Sequence, residues 1–175
     1  MNANKNKSVS ALDVSQYLLS LDPKREYFTS KRMSSEEGWG INPPIEGNFR
    51  LNKLLHIFQI LYYVKYGEFL FFENMIAYRN GAVVEKVSKS FLNELYLLES
   101  YPRVEGLDPQ REDFLKTKIE HFKEYSNYEL QDLSHNDPSW RLAREKGNNI
   151  TMPRNSNILN YWKTFYQHVL EEIEE

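Results

Sequence analysis

Four histidines, His56, His121, His135 and His168, are the side chains of this sequence best suited to acid, base or metal chemistry near neutral pH. The chain has no cysteine, which excludes thiolate nucleophiles, disulfides, iron–sulfur clusters and cysteine-rich zinc sites together. His135 stands between Ser134 and Asp137, so it could form an acid/base pair or two ligands of a metal-dependent hydrolase. A local account uses the same residues. Asn136 and Asp137 suit a turn and the N-cap of a following helix, and His135 suits the negative end of the preceding one. His56 and His121 stand alone on helices, with nothing arranged as in HExxH. There is no GxSxG elbow and no glycine-rich phosphate cradle, and the 7 glycines read mostly as turns and caps. The adjacent carboxylates Glu36-Glu37 and Glu171-Glu172 point in different directions and read as solvated charge. The expectation is a protein without cofactor, metal or catalytic residue.

The elements that would position these residues are organised around Phe49 to Tyr66. Leu51, Leu54, Leu55, Phe58, Leu61 and Tyr62 recur at helical spacing and Ile57, Ile60 and Val64 fill the flanks, leaving a narrow polar stripe. Such a helix is buried by neighbours, and Lys53, His56, Gln59 and Lys65 interrupt it too often for a membrane span. A first helix with Ala11, Val14, Tyr17, Leu18 and Leu21 on its apolar face starts at a Ser10/Asp13 cap and ends at Asp22-Pro23. Lys24 to Asn48 sustains no periodicity and reads as a long irregular loop carrying Trp39. Gly67 caps the central helix, Glu68 to Tyr78 reads as one or two short strands, and Arg79-Asn80-Gly81 as a turn whose Asn-Gly adopts positive φ. Val83, Val84, Val87, Phe91, Leu92 and Leu95 mark a third helix. Tyr101 to Pro109 is a connector, followed by a helix with Phe114, Leu115, Lys118, Ile119 and Phe122 on its apolar stripe. Short helices lie at Tyr128–His135 and Ser139–Lys146, and a final one runs from Ile158 to Ile173. The fold expected is mainly α: a single-domain helical bundle around a buried central helix at 49–66, with a short β-hairpin or extended segment near 69–80. Residues 1–9 read as a flexible leader and 10–175 as one domain, with the loop at 24–48.

Hydrophobic residues at 41% and aromatics at 14% rule out intrinsic disorder. A net charge of −3 gives no global field for a polyanion, so nucleic acid is disfavoured as a partner; Lys24, Arg25, Lys31 and Arg32 form the one small basic patch that a nucleic-acid-associated regulator could use. The polar leader lacks an apolar segment, so neither a signal peptide nor a membrane anchor is expected, and the reading is cytoplasmic.

Three stretches, taken together and in order, resemble the Panacea domain, the family of SocA-like, often phage-associated antitoxins. Arg50 to Phe71 (RLNKLLHIFQILYYVKYGEFLF) is similar to the family's L-x-K-L-L-Y helix, with Leu51, Lys53, Leu54, Leu55 and the closing Gly67. Glu73 to Val87 (ENMIAYRNGAVVEKV) resembles its I-x-A-W-x-x-G-P-V element through Ala77, Gly81 and Val83. Glu129 to Arg144 (ELQDLSHNDPSWRLAR) is similar to its L-x-x-L-x-H-x-x-x-P-W segment through Leu133, His135 and Pro138. The chain departs from the pattern at Tyr78, where the family has tryptophan, at Ala82, where it has proline, and at Ser139, which separates Pro138 from Trp140. The resemblance implies an all-α antitoxin of a toxin–antitoxin system with no catalysis of its own. Such a protein would bind a toxin encoded by a neighbouring gene and neutralise it directly, or deliver it to a protease as an adaptor. Trp39, Tyr78, Arg79, Trp140 and Arg144 are the candidate partner-binding residues, since aromatic and arginine anchors dominate interfaces.

Overall fold

In the computed structural model, which describes residues 8–98 and 107–175, Ser10 and Asp13 form a reciprocal capping box that opens helix α1 (Ala11–Ser20). Val9, just before the cap, is buried, and its carbonyl accepts from Phe72 N–H at 3.0 Å, so the last residue assigned to the leader is part of the packed body. After α1 the buried Asp22 carboxylate accepts the backbone N–H groups of Glu26, Tyr27 and Phe28 at 3.1, 3.1 and 2.8 Å. Arg25, in the left-handed region at φ 53°, bonds the carbonyls of Leu19, Asp22, Tyr96 and Leu98. One carboxylate and one guanidinium thus satisfy the backbone of this reversal.

The long loop is shorter and better anchored than its sequence suggests. Phe28 enters the main core, Arg32 bridges to Ile45 in a single antiparallel pair, and Met33, Trp39 and Phe49 make a second small cluster. Trp39 stacks on Tyr128 with centroids 5.0 Å apart and meets Phe49 edge-on at 4.9 Å. Helix α2 (Glu46–Tyr66) starts a turn before the expected Phe49 and ends at Gly67, whose φ of 70° and N–H bond to the Tyr63 carbonyl complete the cap. All residues from 51 to 62 are buried. Gly47, in its first turn, lies so close to the loop that a Cβ would sit 2.3 Å from the Thr29 carbonyl oxygen and 2.5 Å from the Phe28 carbonyl carbon. Gly47→Ala should therefore destabilise by about 1–3 kcal/mol, because the backbone clash outweighs the helix propensity that alanine adds. A urea midpoint equal to that of the parent would refute this.

The hairpin falls later than expected. Strands β1 (Ile76–Tyr78) and β2 (Gly81–Val83) pair in the register Tyr78↔Gly81, so Arg79 and Asn80 form the two-residue loop. Gly81, at φ 128°, is the first residue of β2, and Asn80 is not at positive φ. The preceding residues 67–75 are irregular and send Leu70 and Phe71 into the core. Val83, expected on a helix, belongs to β2. Helix α3 (Glu85–Ser90) follows and passes into a π-helical turn at Phe91–Leu95. Most of the expected connector lies outside the described residues.

Asp108 caps helix α4 (Pro109–Phe122), with proline at its first position. A Ser126/Glu129 capping box opens α5 (Asn127–His135), and Asp137 caps α6 (Pro138–Lys146). A strand unforeseen in the sequence, β3 (Ile150–Thr151), pairs antiparallel with the other edge of β1, giving the order β2-β1-β3. The last expected helix is α7 (Ser156–Tyr161), a π-helical turn at Trp162–Tyr166, and α8 (Gln167–Glu174). The architecture is mainly α with one small antiparallel sheet, and one buried cluster, from Val9 to Leu170, surrounds α2. Among the described residues no helix is long and apolar enough to cross a membrane.

Candidate functional site

The polar stripe of α2 faces protein, not water. Asn52, Lys53, His56 and Gln59 are all buried, and three of them are saturated by backbone or side-chain partners. Asn52 Oδ1 accepts from Val84 N–H at 3.0 Å while its amide donates to Asn48, and so holds the start of α3. Gln59 accepts from the N–H groups of Leu70 and Phe71 and donates to the Phe71 carbonyl at 2.9 Å, which satisfies the backbone at the middle of the irregular segment 67–75.

His56 sits at the centre of the third arrangement. Its Nε2 is 2.7 Å from Asp137 Oδ2 and its Nδ1 is 2.7 Å from Ser134 Oγ. The other Asp137 oxygen accepts Trp162 Nε1–H at 2.8 Å and the Ser139 backbone N–H at 3.0 Å. Every group facing the carboxylate is a donor, so Nε2 carries a ring proton towards Asp137, and the Ser134 hydroxyl pairs with Nδ1. The trio has the composition of a serine-nucleophile triad, but all three residues are buried to 1% exposure or less. The adjoining void, lined by His56, Gln59 and Trp162, is about 20 Å³, room for roughly one water and not for an acyl substrate. What the geometry supports is a joint: it ties α2 to the α5–α6 corner and to the final helical stretch.

These bonds correct two readings of the histidines. His56 is not alone, and Asp137 pairs with it across 81 residues of sequence and not with His135 two residues away. The His135 ring stacks face to face on Trp140, with centroids 3.8 Å apart and planes 9° apart. Burial, with the nearby Lys53 ammonium adding to it, pushes the His135 pKa down to about 4, against a hydrogen bond with the Asn80 backbone. Its Nε2 has no partner, and among the described residues no group of three histidine or acidic side chains could hold a metal ion.

Lys53, the fourth member of the stripe, lies at the base of a cleft of about 260 Å³ between α2, the β1–β2 hairpin and α3. Phe49, Tyr78, Gly81 and Val83 line it, with Arg79, Glu85 and Lys89 around them. The lysine stem passes directly over Gly81, where a Cβ would stand 2.4 Å from Lys53 Cε. The φ of 128° at this position favours glycine in its own right, and the lysine tip occupies the space that a side chain would take. Lys53 Nζ is 4.5 Å from the Phe49 ring centroid. Burial pushes its pKa down to about 7.

A family model described as the antitoxin SocA-like Panacea domain matches residues 51–141, more than half of the chain. The chain belongs to this family. No curated protein and no solved structure shows significant similarity to it. The matched span runs from Leu51 in α2 to the start of α6, so it contains the hairpin, Lys53 and both partners of His56, while Phe49 of the cleft wall lies just before it.

Within the Panacea domain the three motif segments converge. Trp140 Nε1 donates to the Tyr78 carbonyl at 3.0 Å, joining the third motif to the second, and Lys53 against Gly81 joins the second to the first. Leu51, Leu54, Leu55 and Ala77 are core residues, Leu133 packs at the core's edge, Val83 is half-buried in the wall of the cleft, and Pro138 opens α6. Of the five candidate partner-binding residues, Trp39 is 6% exposed and holds the loop, while Trp140 is half-buried between His135 and β1. Tyr78 is half-buried, with its hydroxyl donating to Glu85 Oε1 at 3.0 Å. Arg79 is exposed at the hairpin tip, and Arg144, half-buried on α6, bonds only Asn148 among the described side chains, at 3.3 Å. The small basic patch is partly consumed: Arg25 is embedded in backbone bonds and Arg32 donates to the Pro43 carbonyl.

Sequence reasoning missed His56 and Trp162 as partners of Asp137 and Ser134 as a partner of His56, and read Lys53 only as a motif residue. The signal available for the first was the i, i+4, i+7 spacing of Asn52, His56 and Gln59, which a wet face and a buried polar seam share.

Proposed function

We propose that this chain is an antitoxin-type binding module that neutralises a cognate toxin, the product of a neighbouring gene, by direct contact or by presenting it to a protease. The single observation that carries this reading is membership of the Panacea family over residues 51–141. The protein acts from the cytoplasm as one folded unit over residues 10–175 and needs no catalytic group of its own. The toxin meets the face where the hairpin and α6 lie side by side. Arg79, exposed at the hairpin tip, and Arg144, half-buried on α6, are its anchors and Tyr78 stands at the rim, while Trp140 and Trp39 hold their elements in place from behind. Arginines on a rigid hairpin and helix suit recognition of acidic side chains.

Co-expression tests this reading. The neighbouring gene should arrest growth alone, and this chain should restore it and co-purify stoichiometrically with the toxin. Arg79→Glu with Arg144→Glu should leave the circular dichroism spectrum unchanged and weaken the complex at least tenfold, since reversing rim charges costs association without touching the core. A harmless neighbour, or rescue indifferent to both reversals, would overturn the function or the surface respectively. Rescue with a toxin that persists in complex marks a neutraliser; rescue only when a protease is present marks an adaptor.

A further inference from the structure

The buried polar seam of α2 leaves one group out. Asn52, His56 and Gln59 each find hydrogen-bond partners inside the protein. Lys53 makes no hydrogen bond or ion pair with the described residues, although it is 2% exposed. Buried ammonium groups are otherwise paired, because the cost of removing the charge from water is large. The nearest carboxylate in the cleft, Glu85, is already committed: Tyr78 donates to one oxygen at 3.0 Å and Lys89 lies 3.8 Å from the other. Gly81 leaves the lysine tip its space, since a Cβ there would also stand 2.6 Å from Nζ.

We propose that this cleft is a binding site for a monocarboxylate on a compact apolar body, with Lys53 Nζ as its counter-ion. The depth of the cleft offers a single ammonium and calls for a single negative charge. A phosphate dianion would want several convergent donors, whereas the other cations of the lining, Arg79 and Lys89, are exposed at the surface and the Asn48 and Asn52 amides already donate to Ser88 and Asn48. Phe49, Val83 and Tyr78 supply apolar surface for the body of the ligand. About 260 Å³ is below the range of roughly 300–1,000 Å³ that holds drug-sized ligands, so the occupant is small. The same chemistry has two sources: a free aryl or alkyl acid, or the terminal carboxylate of a peptide ending in an apolar residue. The proposal goes beyond the antitoxin reading and does not rest on it.

Binding should also depend on pH, because a carboxylate favours the charged lysine. The charged and titratable groups around Lys53 are Arg79 from the hairpin, Tyr78 from β1, Glu85 and Lys89 from α3, His56 from α2 and His135 from α5. Of these, His135 is held neutral down to about pH 4, so above that pH it does not compete with the ligand for charge.

The test is titration of the purified full chain with benzoate, benzamide, inorganic phosphate, N-acetylphenylalanine and its amide at pH 6.5, read by calorimetry and by the carbon-13 signal of the Lys53 ε-methylene. Benzoate should bind saturably and move the Lys53 titration upward, with benzamide and phosphate at least tenfold weaker. Lys53→Met should abolish the difference between the acid and the amide while keeping the fold. Tighter binding of N-acetylphenylalanine than of benzoate would assign the carboxylate to a peptide terminus, and the reverse order to a free acid. Benzoate no better than benzamide, or undiminished in Lys53→Met, overturns the proposal, and neither result bears on toxin rescue.

Discussion

Asp137→Ala should unfold the protein at a much lower urea concentration, with a loss of about 3–5 kcal/mol. The carboxylate is fully buried and accepts from His56 Nε2, Trp162 Nε1 and the Ser139 backbone N–H. Alanine leaves those three donors without an acceptor, and each unpaired buried polar group costs about 1–3 kcal/mol. It also removes the N-cap of α6, worth about 1 kcal/mol. Relaxation and entry of a water near the void beside His56 limit the sum, so the cost of breaking a buried pair is the better guide. Against a typical total of 5–15 kcal/mol this is a large fraction. Asp132→Ala, at an exposed position on α5, should shift stability by no more than about 0.5 kcal/mol. If the two variants unfold at the same urea concentration, the joint does not hold the α5–α6 corner.

Lys53→Met should do the opposite and stabilise the fold, most strongly at acid pH. The folded lysine titrates near 7 and the unfolded one near 10.5, with burial as the cause. Between those values the unfolded chain binds more protons than the folded one, so this group makes stability rise with pH from about 7 to 10.5. Below 7 both states carry the charge and the full penalty stands. At about 1.4 kcal/mol for each factor of ten in proton affinity, the penalty is on the order of 3–5 kcal/mol. The contact with the Phe49 ring, worth about 0.5–2 kcal/mol, offsets only part of it. The gain from Lys53→Met should therefore be full at pH 6 and fade towards pH 10.5. A variant no more stable than the parent at pH 6, or one whose advantage does not change with pH, would show that the ammonium is not held at this cost. A lysine kept in the core at such expense is what a ligand-binding charge would look like.

The apolar periodicity of α2 was legible because Leu51, Leu54, Leu55, Phe58 and Leu61 repeat at helical spacing whatever packs on them. So were the caps at Ser10, Gly67 and Asp137, because capping is decided within a few residues. The family resemblance was also carried by local segments. The short hairpin was legible through its Asn-Gly turn, but its strand bounds were not, because Phe69 to Met75 alternates weakly like a strand while Leu70 and Phe71 are bonded by Gln59 from a helix 11 residues back. Strand β3 has only two residues, too few to show a period.

The amino-acid sequence by itself determined the helical character, the absence of thiol chemistry, the caps and the Panacea membership, all properties of composition or of short spacing. Tertiary structure alone decided that the polar stripe of α2 is inside, that Asp137 belongs to His56 and not to His135, that Gly81 serves Lys53, and that Trp39 and Arg25 are spent on the loop. The physical reason is one of range. A side chain's polarity is local, but whether it meets water, a donor 81 residues away or an empty cleft depends on which elements pack over it, and only the folded chain brings those together.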